Sequence, residues 1–171
     1  MASLVVSLAG PDRPGLVNTL SEKIIAGGGS WLESRLAHLA GTFAGIILVR
    51  VADEGADALA TALSSLSDEG LAVNVLTGSD APAPAEQVTL ELLGNDRPGI
   101  VREVTQTLRG LGVNIEEFSS RIESAPFTGE DMFRAVARLG LPRGLSAHDV
   151  SHALEKLTAE FMVDIKQPEE A

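Results

Sequence analysis

The sequence has no cysteine and no tyrosine, a single tryptophan (Trp31), and only 4% aromatic residues. Without thiols there is neither a disulfide framework nor a thiolate metal site. Positive charge is scarce: 13 Lys and Arg stand against 24 Asp and Glu, for a formal net charge of −11. Such a surface repels nucleic-acid phosphates and anionic membranes unless a local basic cluster overrides it, and no run of Lys or Arg does so. No apolar run approaches the roughly 18 residues of a membrane span. Met1–Gly10 is apolar but lacks a basic start and a cleavage site. It therefore reads as a first strand rather than a leader, and the expected compartment is the cytoplasm.

What is present is a globular composition, with 44% hydrophobic residues. A length of 171 residues suits one ordinary domain or two small ones. A repeat decides for two. Pro11-Asp12-Arg13-Pro14-Gly15 returns as Asn95-Asp96-Arg97-Pro98-Gly99, 84 residues later. Upstream, Leu4, Val6 and Leu8 correspond to Val88, Leu90 and Leu92, with the period of two that marks a strand. Downstream, Leu16, Val17, Leu20 and Ile24 correspond to Ile100, Val101, Val104 and Leu108, one face of a helix. Each motif is thus a tight turn between a strand and a helix. Its proline belongs to the first helical turn, where a missing N–H costs nothing. Asp12 and Asp96 are expected to cap the helix, and Gly10, Gly15, Gly94 and Gly99 to permit tight turns and close approach. Free N–H groups at a helix start suit a carboxylate or phosphate, with Arg13 and Arg97 as added charge-assisted contacts.

In order, the first half predicts strand Leu4–Ala9, helix Leu16–Ala26, strands Trp31–Ala40 and Phe43–Val51 about a hairpin at Gly41, a loop over Asp53–Asp57, helix Ala58–Leu66 and strand Leu71–Leu76. Gly45 marks a bulge or a close backbone approach. Gly78–Gln87, with Pro82 and Pro84, has linker composition. The second half predicts strand Val88–Leu93, helix Ile100–Leu111, strand Val113–Glu123, a longer hairpin loop through Ala125–Gly129, strand Met132–Leu139, helix Ser146–Leu157 and strand Phe161–Lys166. Ser146 and Asp149 form a capping box, and Gln167–Ala171 is a frayed tail. The fold class is α+β: two ferredoxin-like βαββαβ domains, residues 1–78 and 88–171 about a linker at 79–87, each an antiparallel sheet with helices on one face.

That plait hosts unrelated functions. An RNA-recognition reading needs aromatics on the first and third strands; the first strands have none, and Phe43 and Phe133 near the third strands have no basic-aromatic signature around them. A small acylphosphatase-like enzyme needs a phosphate cradle and a positioned water, and no acid/base or nucleophile set accompanies the turn. Ser34 and Ser119 have no adjacent base. His148 and His152 are spaced for one helix side but lack an indicated third ligand, and His38 is isolated. The sequence points to no catalytic residue, metal or cofactor.

Asp-Arg-Pro-Gly between first strand and first helix, in both halves, resembles the ACT domain family, which binds small effectors, usually amino acids. The stretch Trp31-Leu32-Glu33-Ser34-Arg35-Leu36-Ala37-His38-Leu39-Ala40-Gly41-Thr42-Phe43-Ala44-Gly45 resembles the first domain of the glycine cleavage system transcriptional repressor family. Ser124-Ala125-Pro126-Phe127-Thr128-Gly129 before Met132-Phe133 resembles its second domain. The resemblance implies a non-catalytic, amino-acid-responsive regulator of glycine cleavage genes. It would act by binding a DNA-binding activator rather than DNA. A ligand-free dimerising adaptor is the alternative, and exposed edge strands suit a homodimer. In related ACT domains the effector sits at a domain–domain interface, against the loop after strand one and the start of strand two. By that analogy the ligand-binding candidates in the second half are Asn95, Asp96, Arg97, Pro98, Gly99, Ile100, Val113, Asn114 and Ile115, with the Asn114 amide bonding an amino-acid backbone. In the first half they are Asp12, Arg13, Pro14, Gly15 and Leu16. There Ser30 and Trp31 replace the Asn-Ile pair, and Trp31 reads best as a packing anchor.

Overall fold

The computed structural model describes residues 1–79, 82–157 and 159–167. The chain divides into two compact units, Met1–Ala81 and Pro82–Ala171. Unit one runs β1 (Ala2–Pro11), α1 (Leu16–Ala26), β2 (Ser30–Leu39), β3 (Thr42–Val51), α2 (Ala56–Ser64) and β4 (Ala72–Thr77). Unit two repeats the order as β5 (Glu86–Asn95), α3 (Ile100–Gly110), β6 (Asn114–Ser124), β7 (Asp131–Leu141), α4 (Ala147–Glu155) and β8 (Met162–Lys166). The sheets have strand orders β2-β3-β1-β4 and β6-β7-β5-β8, with every pairing antiparallel. This is the ferredoxin-like plait twice, as the sequence predicts.

The pleat explains the cores. Leu4, Val6 and Leu8 on β1 and Ile47, Val49 and Val51 on β3 alternate onto one face. Leu20 and Ile24 of α1 and Leu59 and Leu63 of α2 close over them. Unit two uses Val88, Leu90 and Leu92 against Val104, Leu108, Val150 and Leu154 in the same way. Trp31 is half-buried against the first core, the anchoring role expected of it.

Element ends differ from the sequence reading where neighbouring residues carry no apolar signal. The expected loop over Asp53–Asp57 holds a short 3₁₀ turn at Asp53–Gly55, and α2 already starts at Ala56. The helix then tightens into a second 3₁₀ turn at Ser65–Glu69 that buries Leu66. Strand β5 begins at Glu86, inside the stretch read as linker. Asp80 and Ala81 of that stretch, and the expected frayed tail beyond Gln167, lie outside the described residues. The hairpin at Gly41 is a two-residue turn with Ala40 and Gly41 both left-handed, φ 48° and 80°, which matches the twist of the flanking strands.

Gly45 is a close approach: a β-carbon there would lie 2.0 Å from the Arg35 carbonyl oxygen of β2. The bulge itself sits across on β2, between Trp31 and Glu33. Helix α4 opens with the predicted capping box. Ser146 Oγ accepts from the Asp149 N–H at 3.2 Å, and Asp149 Oδ2 accepts from the Ser146 N–H at 2.9 Å.

Two outcomes follow for stability. Gly45→Ala forces backbone apart and should cost at least the roughly 1–3 kcal/mol of an overpacked core. Gly15→Ala, left-handed but with open space around it, should cost only about 1–2 kcal/mol. Urea unfolding of both variants tests that order. The Ser146 backbone N–H, then its hydroxyl, hold the Asp149 carboxyl below its ordinary range. Its contribution is therefore present above the unfolded aspartate value and lost as pH falls through the depressed folded value. Asp149→Asn should flatten that part of the acid limb in melts taken at successive pH values.

Candidate functional site

Both Asp-Arg-Pro-Gly corners are built alike. Gly15 and Gly99 are the residues before the helices, left-handed at φ 87° and 86°, and neither helix has a side-chain cap. The expected capping by Asp12 and Asp96 is therefore corrected: a left-handed glycine stands at the cap position, and neither aspartate accepts from the helix start. The Asp12 N–H donates to the Gly41 carbonyl at 2.9 Å, and the Asp96 N–H to the Asp131 carbonyl at 2.9 Å. Each motif is thus tied to the β2–β3 or β6–β7 hairpin. Gly10 and Gly94 are extended and supply close approach instead. A β-carbon would lie 2.8 Å from the Gly70 carbonyl at the first and 2.5 Å from the Phe161 ring at the second.

Asp12, Arg13 and Arg97 of the corners are each paired within the protein. Asp12 Oδ2 lies 2.6 Å from His38 Nδ1, and Arg13 pairs with Glu69 at 3.6 Å. Arg97 grips Glu103 with two hydrogen bonds, 2.8 and 2.6 Å, and lies 5.9 Å above the Phe161 ring. The fork holds the Glu103 carboxyl below its usual range and raises Arg97. Leu16 and Ile100 are buried in the cores. The depression beside Asp12 and Arg13 measures about 90 Å³. Neither arginine is free to meet a ligand carboxylate without breaking an ion pair.

Register separates the remaining candidates. Asn114 opens β6 opposite Gly140, and Gly140 faces Gln87 near the start of β5. Asn95, beside the corner, faces Met132. The two ends lie eight residues apart on β5, roughly 27 Å at the strand rise. Asn114 and the Asn95–Ile100 corner therefore stand at opposite ends of one sheet, and one small molecule cannot span them within a domain. Val113 is core and Ile115 packs against it, so these two position Asn114 rather than line a surface.

The Asn114 end carries a feature that the residue pattern did not disclose. Pro82 and Pro84 fold over it, and with Asn114, Gly140, Pro142 and Arg143 they bound a groove of about 540 Å³. The absence of a side chain at Gly140 makes this wall possible, since a β-carbon would sit 2.9 Å from that of Pro84. Asn114 and Arg143 are exposed, with no partner for either side chain among the described residues. Behind them Glu116 accepts from Gln87 Nε2 at 2.7 Å and pairs with Arg138 at 3.5 Å. The groove offers a guanidinium, an amide that both donates and accepts, and apolar proline walls. In unit one Ser30 occupies the register place of Asn114, opposite Arg50 rather than glycine. His148 and His152 are stacked on α4, ring centres 6.3 Å apart. Among the described residues no cluster of three potential ligands could hold a metal, and no helix is long and apolar enough to cross a membrane.

Comparison with known proteins agrees with this architecture. The ACT domain family matches residues 2–75 and, separately, residues 88–150. The glycine cleavage system transcriptional repressor of Escherichia coli (strain K12) is 25% identical over 164 residues, covering 92% of this chain and 85% of that protein. The protein of the same name from Shigella flexneri matches equally. The crystal structure of an unknown protein from Galdieria sulphuraria superposes with a TM-score of 0.84 at 30% identity, over 98% of both chains. The chain belongs to the ACT domain family, as two such domains in tandem.

Proposed function

We propose that this chain is a non-catalytic regulator that responds to a small amino acid, and that the effector binds in the groove at Asn114. The observation that carries the reading is the pairing there, under a proline wall, of an amide and a guanidinium that have no partner among the described residues. The effector carboxylate meets Arg143 and the Asn114 amide N–H, and its ammonium meets Asn114 Oδ1. Val113 and Ile115 hold that amide in place. The corners at Asp12–Leu16 and Asn95–Ile100 contribute chiefly backbone donors, because Asp12, Arg13 and Arg97 are committed to internal pairs. A ligand that touched both a corner and Asn114 would need two domains.

Similarity to the glycine cleavage system transcriptional repressor supports glycine cleavage genes as the target, and the net charge of −11 supports contact with a protein rather than with DNA. The loop between β6 and β7 is a suitable contact element. The Ala125 N–H donates to the Glu130 carbonyl at 2.8 Å and the Gly129 N–H to the Ala125 carbonyl at 3.0 Å. That ordered tip presents a fully exposed Phe127. Such a preformed aromatic anchor loses little freedom on docking to a partner such as a DNA-binding activator. The effector acts by favouring one arrangement of the chain over another, the requirement for any ligand-driven switch. The internal commitment of the corner side chains favours one rival reading, an adaptor that binds no ligand.

Calorimetry with each of the twenty amino acids at millimolar concentration should give heat and raised melting for glycine or another small one. Stabilisation should approach about 2.7 kcal/mol at a hundredfold excess over Kd. Silence from all twenty sinks the sensor. Asn114→Ala should abolish the response while partner binding survives; an adaptor would show no response to lose. Purified protein should give no duplex gel shift at physiological salt, and a tight shift would refute the protein-contact route.

A further inference from the structure

A β-bulge sits at the same place in the second strand of each unit. Strand β2 shifts register between Trp31 and Glu33, and β6 between Ile115 and Glu117. The extra residue is therefore Leu32 in unit one and Glu116 in unit two. A bulged residue has no place in the ladder, and its side chain is re-aimed. Gln87 and Arg138, which approach Glu116, stand where unit one has Ser3 and Leu48, and Gly140 stands where it has Arg50. The carboxylate on the bulge and the glycine that opens the groove thus occur in the same unit, and neither has a counterpart in the other.

Only one oxygen of Glu116 is engaged. The side chain is 18% exposed, a degree of burial at which a carboxylate needs partners. Oε2 accepts from Gln87 Nε2 at 2.7 Å and lies 3.5 Å from Arg138 Nε. That Nε is buried and makes no hydrogen bond, so Arg138 acts on the carboxylate through charge alone. Oε1 has no hydrogen-bond partner among the described residues. It lies beside Gly140, where a β-carbon would sit 3.0 Å from Oε1 and 2.9 Å from the Pro84 β-carbon. A single point thus borders both the groove wall and this oxygen, and the missing side chain leaves that point open.

We infer that Glu116 makes the groove selective for zwitterions: its Oε1, together with Asn114 Oδ1, takes the effector ammonium, and its charge turns away carboxylic acids that lack one. This rests on the effector site proposed at Asn114. An ammonium has three N–H groups to share between two oxygens, and a charged acceptor makes the stronger bond. Discrimination also needs an element that repels the wrong ligand. A simple carboxylate drawn in by Arg143 meets the like charge of Glu116, whereas an amino acid brings the ammonium that offsets it. Gln87 and Arg138 are positioning residues, since both hold Oε2 and leave Oε1 for the groove.

Calorimetry of the full chain and of its Glu116→Gln variant tests this. The probes are glycine, alanine and serine, with acetate and propionate as the deaminated forms of the first two. The unaltered chain should bind at least one of the amino acids and neither simple acid. Glu116→Gln keeps the shape of the side chain and an acceptor for Gln87. It should weaken the amino acid by about tenfold or more, the worth of one hydrogen bond to a charged group, and should strengthen acetate or propionate. Shifts in opposite directions mark charge selection, because a merely structural role would move both ligand classes alike. An amino acid that binds chain and variant equally, or a variant that loses both classes alike, overturns the inference while the groove reading stands. Silence of the unaltered chain toward all three amino acids overturns both. Should the variant fail to fold, carboxyl-carbon spectra of the unaltered chain decide. A Glu116 Cδ resonance that moves with the amino acid supports the inference, and one that stays in place while the amino acid binds refutes it.

Discussion

The constraint on which the molecule depends is the pleat of the central strands β1 and β5. Successive side chains on a strand point to opposite faces, so a slip of one residue would exchange the two sets entirely. Leu4, Val6 and Leu8 are nearly inaccessible to solvent, as are Val88, Leu90 and Leu92. The helices must cover that side and no other. The outward set, Val5 and Ser7 in one unit and Thr89 and Glu91 in the other, is then free of any duty to the core. Both the position of the candidate effector groove and the contrast between the outer faces follow from this division.

The repeated Asp-Arg-Pro-Gly turn appears on residue types to be an anion site, yet the geometry makes it chiefly a joint. Its backbone ties strand, helix and hairpin together through Asp12 to Gly41 and Asp96 to Asp131. Asp12, Arg13 and Arg97 are then consumed locally, with the Arg97–Glu103 fork as the clearest case. A guanidinium already meeting a carboxylate bidentately has little to gain from a second one. The opposite end of the unit-two sheet is different. A glycine on β7 lets an incoming proline close over an asparagine that has no side-chain partner among the described residues.

Much of this was legible in the chain. Period-two and helical patterns locate the strands and helices because the residues that carry them, Leu20, Ile24, Val104 and Leu108 among them, are the ones the core buries. The 84-residue repeat is visible for the same reason. Helix α2 was less legible at its start, since Ala56 and Asp57 contribute nothing to the apolar stripe. The destinations of Asp12, Arg13 and Arg97 were not legible either. They depend on Glu69, His38 and Glu103 reaching them in space, and only His38 sits in a stretch that looked special. The Asn114 groove was half visible. The asparagine stood out, but Pro82 and Pro84 read as linker, and only the space at Gly140 reveals what they pack against.

The two units therefore differ in detail on one scaffold. Where unit two has glycine at 140 and a groove, unit one has Arg50; where unit two has Arg138, Lys166 and Arg134 on its outer face, unit one has Leu48, Leu76 and Ala44. Neither difference costs the core anything, because both fall on the outward half of the pleat or at its ends. A tandem of this kind can vary the sheet ends and the outer face of each copy while the buried half of each strand stays unchanged. The short β2–β3 turn of unit one, beside the longer Phe127 loop of unit two, extends the same logic to the hairpins: the strands fix where each loop emerges, and its length and tip residue are free to differ.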